Sequence, residues 1–174
     1  MLPNPLHPAV VHFPIVLAFL LPLFAVGAMI AIRKGARPLR AWSLPLAVGA
    51  ALTLSSWVAV ETGEDQDERV ERVVAEQPLE THEERAELFL TLSGVVLLVS
   101  ATGLAGGVVG RAGRITATAG AFALVVAGAM VGHSGGELVY KHGAASAYAP
   151  NPAGSTADSP ASTSNRVANR DRED

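Results

Sequence analysis

The chain has 174 residues, 49% of them hydrophobic and 17% charged, with 17 Gly, 11 Pro, no Cys and a formal net charge of −3. The lack of cysteine excludes a disulfide framework, a thiolate zinc site, an iron–sulfur cluster held by this chain, a covalently attached haem and a cysteine nucleophile, so any metal or haem must be held by nitrogen or oxygen. A near-neutral charge with no basic cluster argues against nucleic acid as a partner, while a mean hydropathy of +0.33 with the charges gathered into a few blocks points to a membrane protein.

Four stretches lack Asp, Glu, Lys, Arg and His over about 20 residues, roughly the length a helix needs to cross a hydrocarbon core. They are Phe13–Ile32, Ala41–Val60, Leu88–Val109 and a last one from Ile115 to about Val131, whose helix should run on to about 136. The first could be taken for a signal peptide, but no positive charge precedes it, its apolar run is long, and the basic cluster follows it. It reads as a retained span. The fold class expected is therefore all-α, an integral membrane four-helix bundle over residues 1–143.

Arg33, Lys34, Arg37 and Arg40 separate the first two spans, and Arg111 and Arg114 separate the last two, with no acid in either connection. Glu61–Glu87 holds 11 acids against three arginines, a net −8. The positive-inside rule puts both basic connections in the cytoplasm, so both termini and the acidic loop face outward from a bacterial inner membrane. Pro22 and Pro45 fall within spans, where neighbouring helices can absorb the lost donor. Gly103, Gly106, Gly107 and Gly110 in the third span, and Gly128, Gly132 and Gly136 in the fourth, form small-residue stripes that admit close helix packing or a flat ligand.

Within the acidic loop, Val70, Val73 and Val74 fall at helical spacing, predicting a short amphipathic helix in the 61–80 region, ended by Pro78. Thr81-His82-Glu83-Glu84 has the form of a capping box, which predicts that the third helix begins near Thr81. From Ala144 to Asp174 the chain is Ala, Ser, Asn, Pro and Thr with a mixed-charge end, too poor in apolar surface to fold, and is expected to be a disordered polar tail.

All five histidines, His7, His12, His82, His133 and His142, fall on the outer side of this topology. His12 and His133 should share a layer at the membrane boundary, with His82 and His142 roughly 9 Å and 13 Å further out. Imidazole is a common metal ligand and a frequent axial ligand of haem, and carboxylates can ligate or fix the ring tautomer. Candidate cofactor ligands are thus His12, His82, His133 and His142, with Glu61, Glu83 and Glu137 as candidate metal-binding carboxylates; His133 and Glu137 share a helix face at i and i+4. The plainer reading is interfacial histidines whose rings bury their body and keep their polar atoms wet.

His7-Pro8-Ala9-Val10-Val11-His12-Phe13-Pro14 and Gly135-Gly136-Glu137-Leu138-Val139-Tyr140-Lys141-His142-Gly143 resemble the opening and closing signatures of a bacterial membrane family, domain of unknown function 2231. Glu61-Thr62-Gly63-Glu64, followed by His82-Glu83-Glu84, looks like the form of one branch of it. The resemblance covers about residues 1–143. It implies a four-helix membrane protein without an assigned activity, some of whose relatives are joined to Rieske or cytochrome c domains, and hence electron transfer at the outer face with a haem-bearing or quinone-facing role.

The function expected is a histidine-ligated haem b module, or one binding a metal ion such as copper, that takes part in electron transfer at the outer face. It is a binding module rather than a stand-alone enzyme, since no nucleophile elbow, phosphate loop or metal-hydrolase spacing is present. A transporter is disfavoured because no ionisable side chain lies within a span. The alternative is a cofactor-free anchor that docks a partner through the acidic loop. Partners in keeping with these readings are the lipid bilayer, a redox protein or quinone at the outer face, and a second copy of the chain.

Overall fold

A computed structural model describes residues 5–149, and they are helical almost throughout. A short helix α1 (His7–Val10) leads into α2 (His12–Arg33); α3 (Pro38–Glu64), the one-turn α4 (Asp67–Val70), α5 (Glu76–Thr102), α6 (Gly107–Tyr140) and a 3-10 turn (Ala144–Tyr148) follow. Four helices, α1–α2 together with α3, α5 and α6, are long and apolar enough to cross a membrane. The chain is an integral membrane four-helix protein, as its uncharged stretches require.

The long helices form a four-sided bundle in which α2 packs on α3 and α6, and α5 packs on the same two from the opposite corner. Short connections make neighbours antiparallel, so the start of α2, the end of α3, the start of α5 and the end of α6 gather at one end with every histidine. The opposite, arginine end carries Arg33, Lys34, Arg37, Arg40, Arg111 and Arg114, while Arg69, Arg72 and Arg85 lie on the histidine side. Large apolar side chains point outward along the shaft, among them Phe13, Phe19, Leu23, Leu54, Leu98, Val108 and Phe122. A soluble bundle would bury that face; in lipid it is the solvated one. The centre is built from Ala18, Leu21, Leu52, Ala121 and Leu124 around one aromatic ring, Phe89. Close approach between α5 and α6 is set by glycine: a Cβ at Gly120 would lie 2.7 Å from Val96 Cγ2, and one at Gly113 would lie 2.1 Å from Thr102 Oγ1. The stripe expected at 128, 132 and 136 is only partly used, since Gly128 meets Phe89 while nothing lies within 4 Å of a Cβ at Gly132 or Gly136.

Several boundaries differ from those the residues suggest. The third helix stops at Thr102, well before Val109, because Gly103 to Gly106 make the turn and Gly107, at φ 63°, starts α6 from the left-handed region. Arg111 and Arg114 therefore lie on α6 and not in a loop. Arg114 is buried and donates to the Gly103 carbonyl at 2.5 Å, satisfying an oxygen that the end of α5 leaves over.

On the acidic side, the helix expected up to Pro78 is reduced to Asp67–Val70, and α5 begins at Glu76 with Pro78 in its first turn, where no donor is lost. The capping box at Thr81 is not used. Thr81 Oγ1 donates back to the Gln77 carbonyl at 2.9 Å, already inside the helix. Val74 and Leu79 are buried with Leu138 and Ala144 in a small apolar cluster over the histidine end, while Val73 stays exposed. The polar tail expected from Ala144 loses its first five residues to the 3-10 turn that this cluster anchors. The rest of that stretch, 150–174, lies outside the described residues.

Candidate functional site

Between the histidine ends of the helices and the α4 segment lies a cavity of about 490 Å³, within the usual range for a small-molecule site. It lies beyond the uncharged shafts of the spans. Its walls are mainly apolar, with Val70, Leu79 and Leu138 among them, and carry two imidazoles, His7 and His82, and four carboxylates, Glu64, Asp67, Glu83 and Glu87.

The two imidazoles come from different helices and stand edge to face, with ring centroids 6.4 Å apart and planes at 87°. His7 Nδ1 lies 2.8 Å from the Ala59 carbonyl of α3. A carbonyl can only accept, so His7 Nδ1 carries the proton and Nε2 keeps its lone pair. His82 Nδ1 lies 3.0 Å from Ser134 Oγ on α6. The Ser134 hydroxyl is within donating distance of the Val131 carbonyl at 3.0 Å and the Met130 carbonyl at 3.2 Å, so its free lone pair accepts from His82 Nδ1–H. Each ring thus has Nδ1 fixed by the fold, with the Val131 carbonyl also close to the His82 ring, and among the described residues no hydrogen bond engages Nε2 of either. Burial holds both below the ordinary imidazole pKa, His82 down to about 4 with the neighbouring His7 adding to the effect, so both are neutral at pH 7.

Glycine makes room for each ring. A Cβ at Gly63 would sit 3.3 Å from His7 Cε1 and Nδ1, and one at Gly135 would sit 3.0 Å from His82 Cε1. On another wall Asp67 and Glu83 meet as a hydrogen-bonded carboxyl pair. Burial, the charge of Glu83 and the bond that Asp67 donates to it push the Asp67 pKa up to about 6; burial also raises Glu83.

The structure brings together part of the predicted set. His82 and Glu83 line the cavity. His12 and Glu61 are exposed and line no part of it. His133 is 72% exposed and lies 3.6 Å from Glu137, which also pairs with Lys141. His142 lies in the turn beyond α6, exposed. Among the described residues no group of three or more His, Cys, Asp or Glu is placed to hold a metal ion. His7, Asp67 and Ser134 were not singled out from the sequence. Their signal was faint: His7 and His12 are five residues apart, which on helical backbone turns them roughly 140° from each other, so only one could face inward.

Fold and site together define a four-helix membrane protein with a cavity at one end. The chain belongs to the family described as Predicted membrane protein (DUF2231), which matches residues 3–147. No curated protein and no solved structure matches the chain.

Proposed function

We propose that the chain is a membrane cofactor module whose histidine end holds a haem b between His7 and His82 and takes part in electron transfer at the outer face of a bacterial inner membrane. The observation that carries this reading is the imidazole pair, two neutral rings from separate helices with Nδ1 engaged and Nε2 free. Their centroids lie 6.4 Å apart, so both rings border the same space and would be the residues that hold the group. A bare zinc or copper ion asks for three or four protein donors, and the described residues offer no such group. A haem brings its own four nitrogens and asks for two imidazoles, so the donor count favours haem over copper.

When bound, haem supplies one-electron chemistry. The chain's own part is to hold the two rings at Nδ1, to keep them neutral, to leave space beside them at Gly63 and Gly135, and to wall the site with apolar side chains. Orientation follows from Arg33, Lys34, Arg37, Arg40, Arg111 and Arg114 at the opposite end, which the positive-inside rule places in the cytoplasm. A reporter fused after Gly143 should then be active only outside.

The test is the absorption spectrum of protein purified in detergent, before and after dithionite and with added haemin. The expected result is a Soret band and, on reduction, the sharpened bands of a six-coordinate low-spin haem. A colourless protein that takes up no haemin overturns the reading.

A further inference from the structure

We propose that Tyr148 is a movable cover over the cavity, admitting ligand from the aqueous side when its contacts with the α4 segment break. This rests on the cavity being a ligand site, although the test reads access alone. Gly143, at φ 72° and ψ 24°, turns the chain off the end of α6 in a conformation that an L side chain adopts at a cost. Ala144 is then the one buried residue of the 3-10 turn, held among Val74, Leu79 and Leu138. Beyond it the segment is tied by the Tyr148 side chain. Its hydroxyl donates to Gln66 Oε1 at 2.7 Å, and the Arg69 guanidinium lies 5.2 Å from its ring centroid. Ala144, Ala145 and Tyr148 line the cavity together with the two imidazoles and the α4 residues Asp67 and Val70.

Of the other walls, the long helices are locked by packing along their length, the short α1 is tied to α3 through His7 and the Ala59 carbonyl, and the α4 segment is the part to which Tyr148 itself is tied. Beyond the buried Ala144, the wall formed by the 3-10 turn is held among the described residues by the two polar contacts of Tyr148, and such contacts are individually weak. It is therefore the wall that opens first, and a ligand as large as the cavity has its shortest way in beneath it.

The chain has no cysteine, so a single introduced thiol reports access. Ala86 lines the cavity and Glu84, two residues earlier, is exposed. Ala86→Cys protein in detergent micelles is treated with a polar maleimide, alone and combined with Tyr148→Ala, Tyr148→Phe, Gly143→Ala or Gly143→Asn. Segment motion is far faster than thiol labelling, so the rate reads the open fraction. Tyr148→Ala should raise the rate by about tenfold or more, as loss of a hydrogen bond and a cation–π contact predicts. Tyr148→Phe should fall between. Gly143→Ala meets no atom within 4 Å and adds backbone strain alone, so it should also speed labelling. Gly143→Asn, which tolerates the left-handed region, should restore the slow rate. Equal rates in Tyr148→Ala and its parent overturn the cover, as does a parent that labels as fast as Glu84→Cys. Haemin uptake lost with this labelling pattern intact would instead remove the haem reading and leave the cover standing.

Discussion

The two ends of the bundle both bury nitrogen-bearing side chains, and they use them in opposite ways. At the arginine end Trp42 is fully buried and donates to the Ser100 carbonyl at 2.9 Å, Arg114 caps the end of α5, and the void that runs from Trp42 to Leu52 at the centre measures about 10 Å³, room for one water at most. At the histidine end each half-buried ring spends one nitrogen on the fold and, among the described residues, keeps the other, beside a cavity of about 490 Å³. A polar group that is fully satisfied in a filled space serves stability. One that is half satisfied beside an open space is held ready for something else.

Substitutions that trade one property against the other test this contrast. The largest expected effect is at the closed end: Trp42→Ala should cost about 3–5 kcal/mol in detergent unfolding, from lost packing, while haemin affinity per folded molecule stays within about twofold. A matching loss of affinity would mean that the ends are coupled. At the open end the order should reverse. Gly135→Ala places a methyl 3.0 Å from His82 Cε1 and should weaken haemin binding about tenfold with unfolding shifted by less than ~1 kcal/mol. Ser134→Ala removes the hydroxyl that orients His82 and should cost about 1 kcal/mol of stability together with a shift in the haem absorption bands.

The smallest effect is in pH dependence. His7 and His82 have lowered folded pKa values, so the unfolded chain binds more protons below 6.5 and their contribution to stability is lost as pH falls from about 6.5 toward the His82 value of about 4. Asp67 has a raised value of about 6, so the folded chain holds its proton more tightly and stability gains as pH falls through 6 toward 3.8. The two trends oppose each other. Asp67→Asn should unmask the histidines and steepen the loss of stability between pH 6 and 4; a profile unchanged from that of the parent would show that Asp67 does not hold its proton in the fold, and a flat profile in Asp67→Asn that the rings are not kept neutral.

The four spans were readable from uncharged runs because a helix in lipid must be apolar on every face, and such runs need no knowledge of partners. That all five histidines share an end followed from the same count. Which of them face inward did not, since it depends on helix rotation: His12 and His133 sit at the right depth but on outward faces, while His7 and His82 turn to the cavity. Gly103–Gly106 was misjudged for a related reason, as a glycine-rich apolar run reads equally as a packing stripe or as a turn until Gly107 is seen at positive φ. The 3-10 turn at Ala144 was hidden because a single buried alanine, with Val74 and Leu79 arriving from another segment, gives no local pattern.

Haemin titration of single histidine variants tests the central claim most directly. His7→Ala and His82→Ala should each lose the six-coordinate spectrum, whereas His12→Ala, His133→Ala and His142→Ala should bind haemin as the parent does. Loss of the spectrum in any of the latter three, with His7→Ala or His82→Ala unaffected, would contradict the assignment of the site.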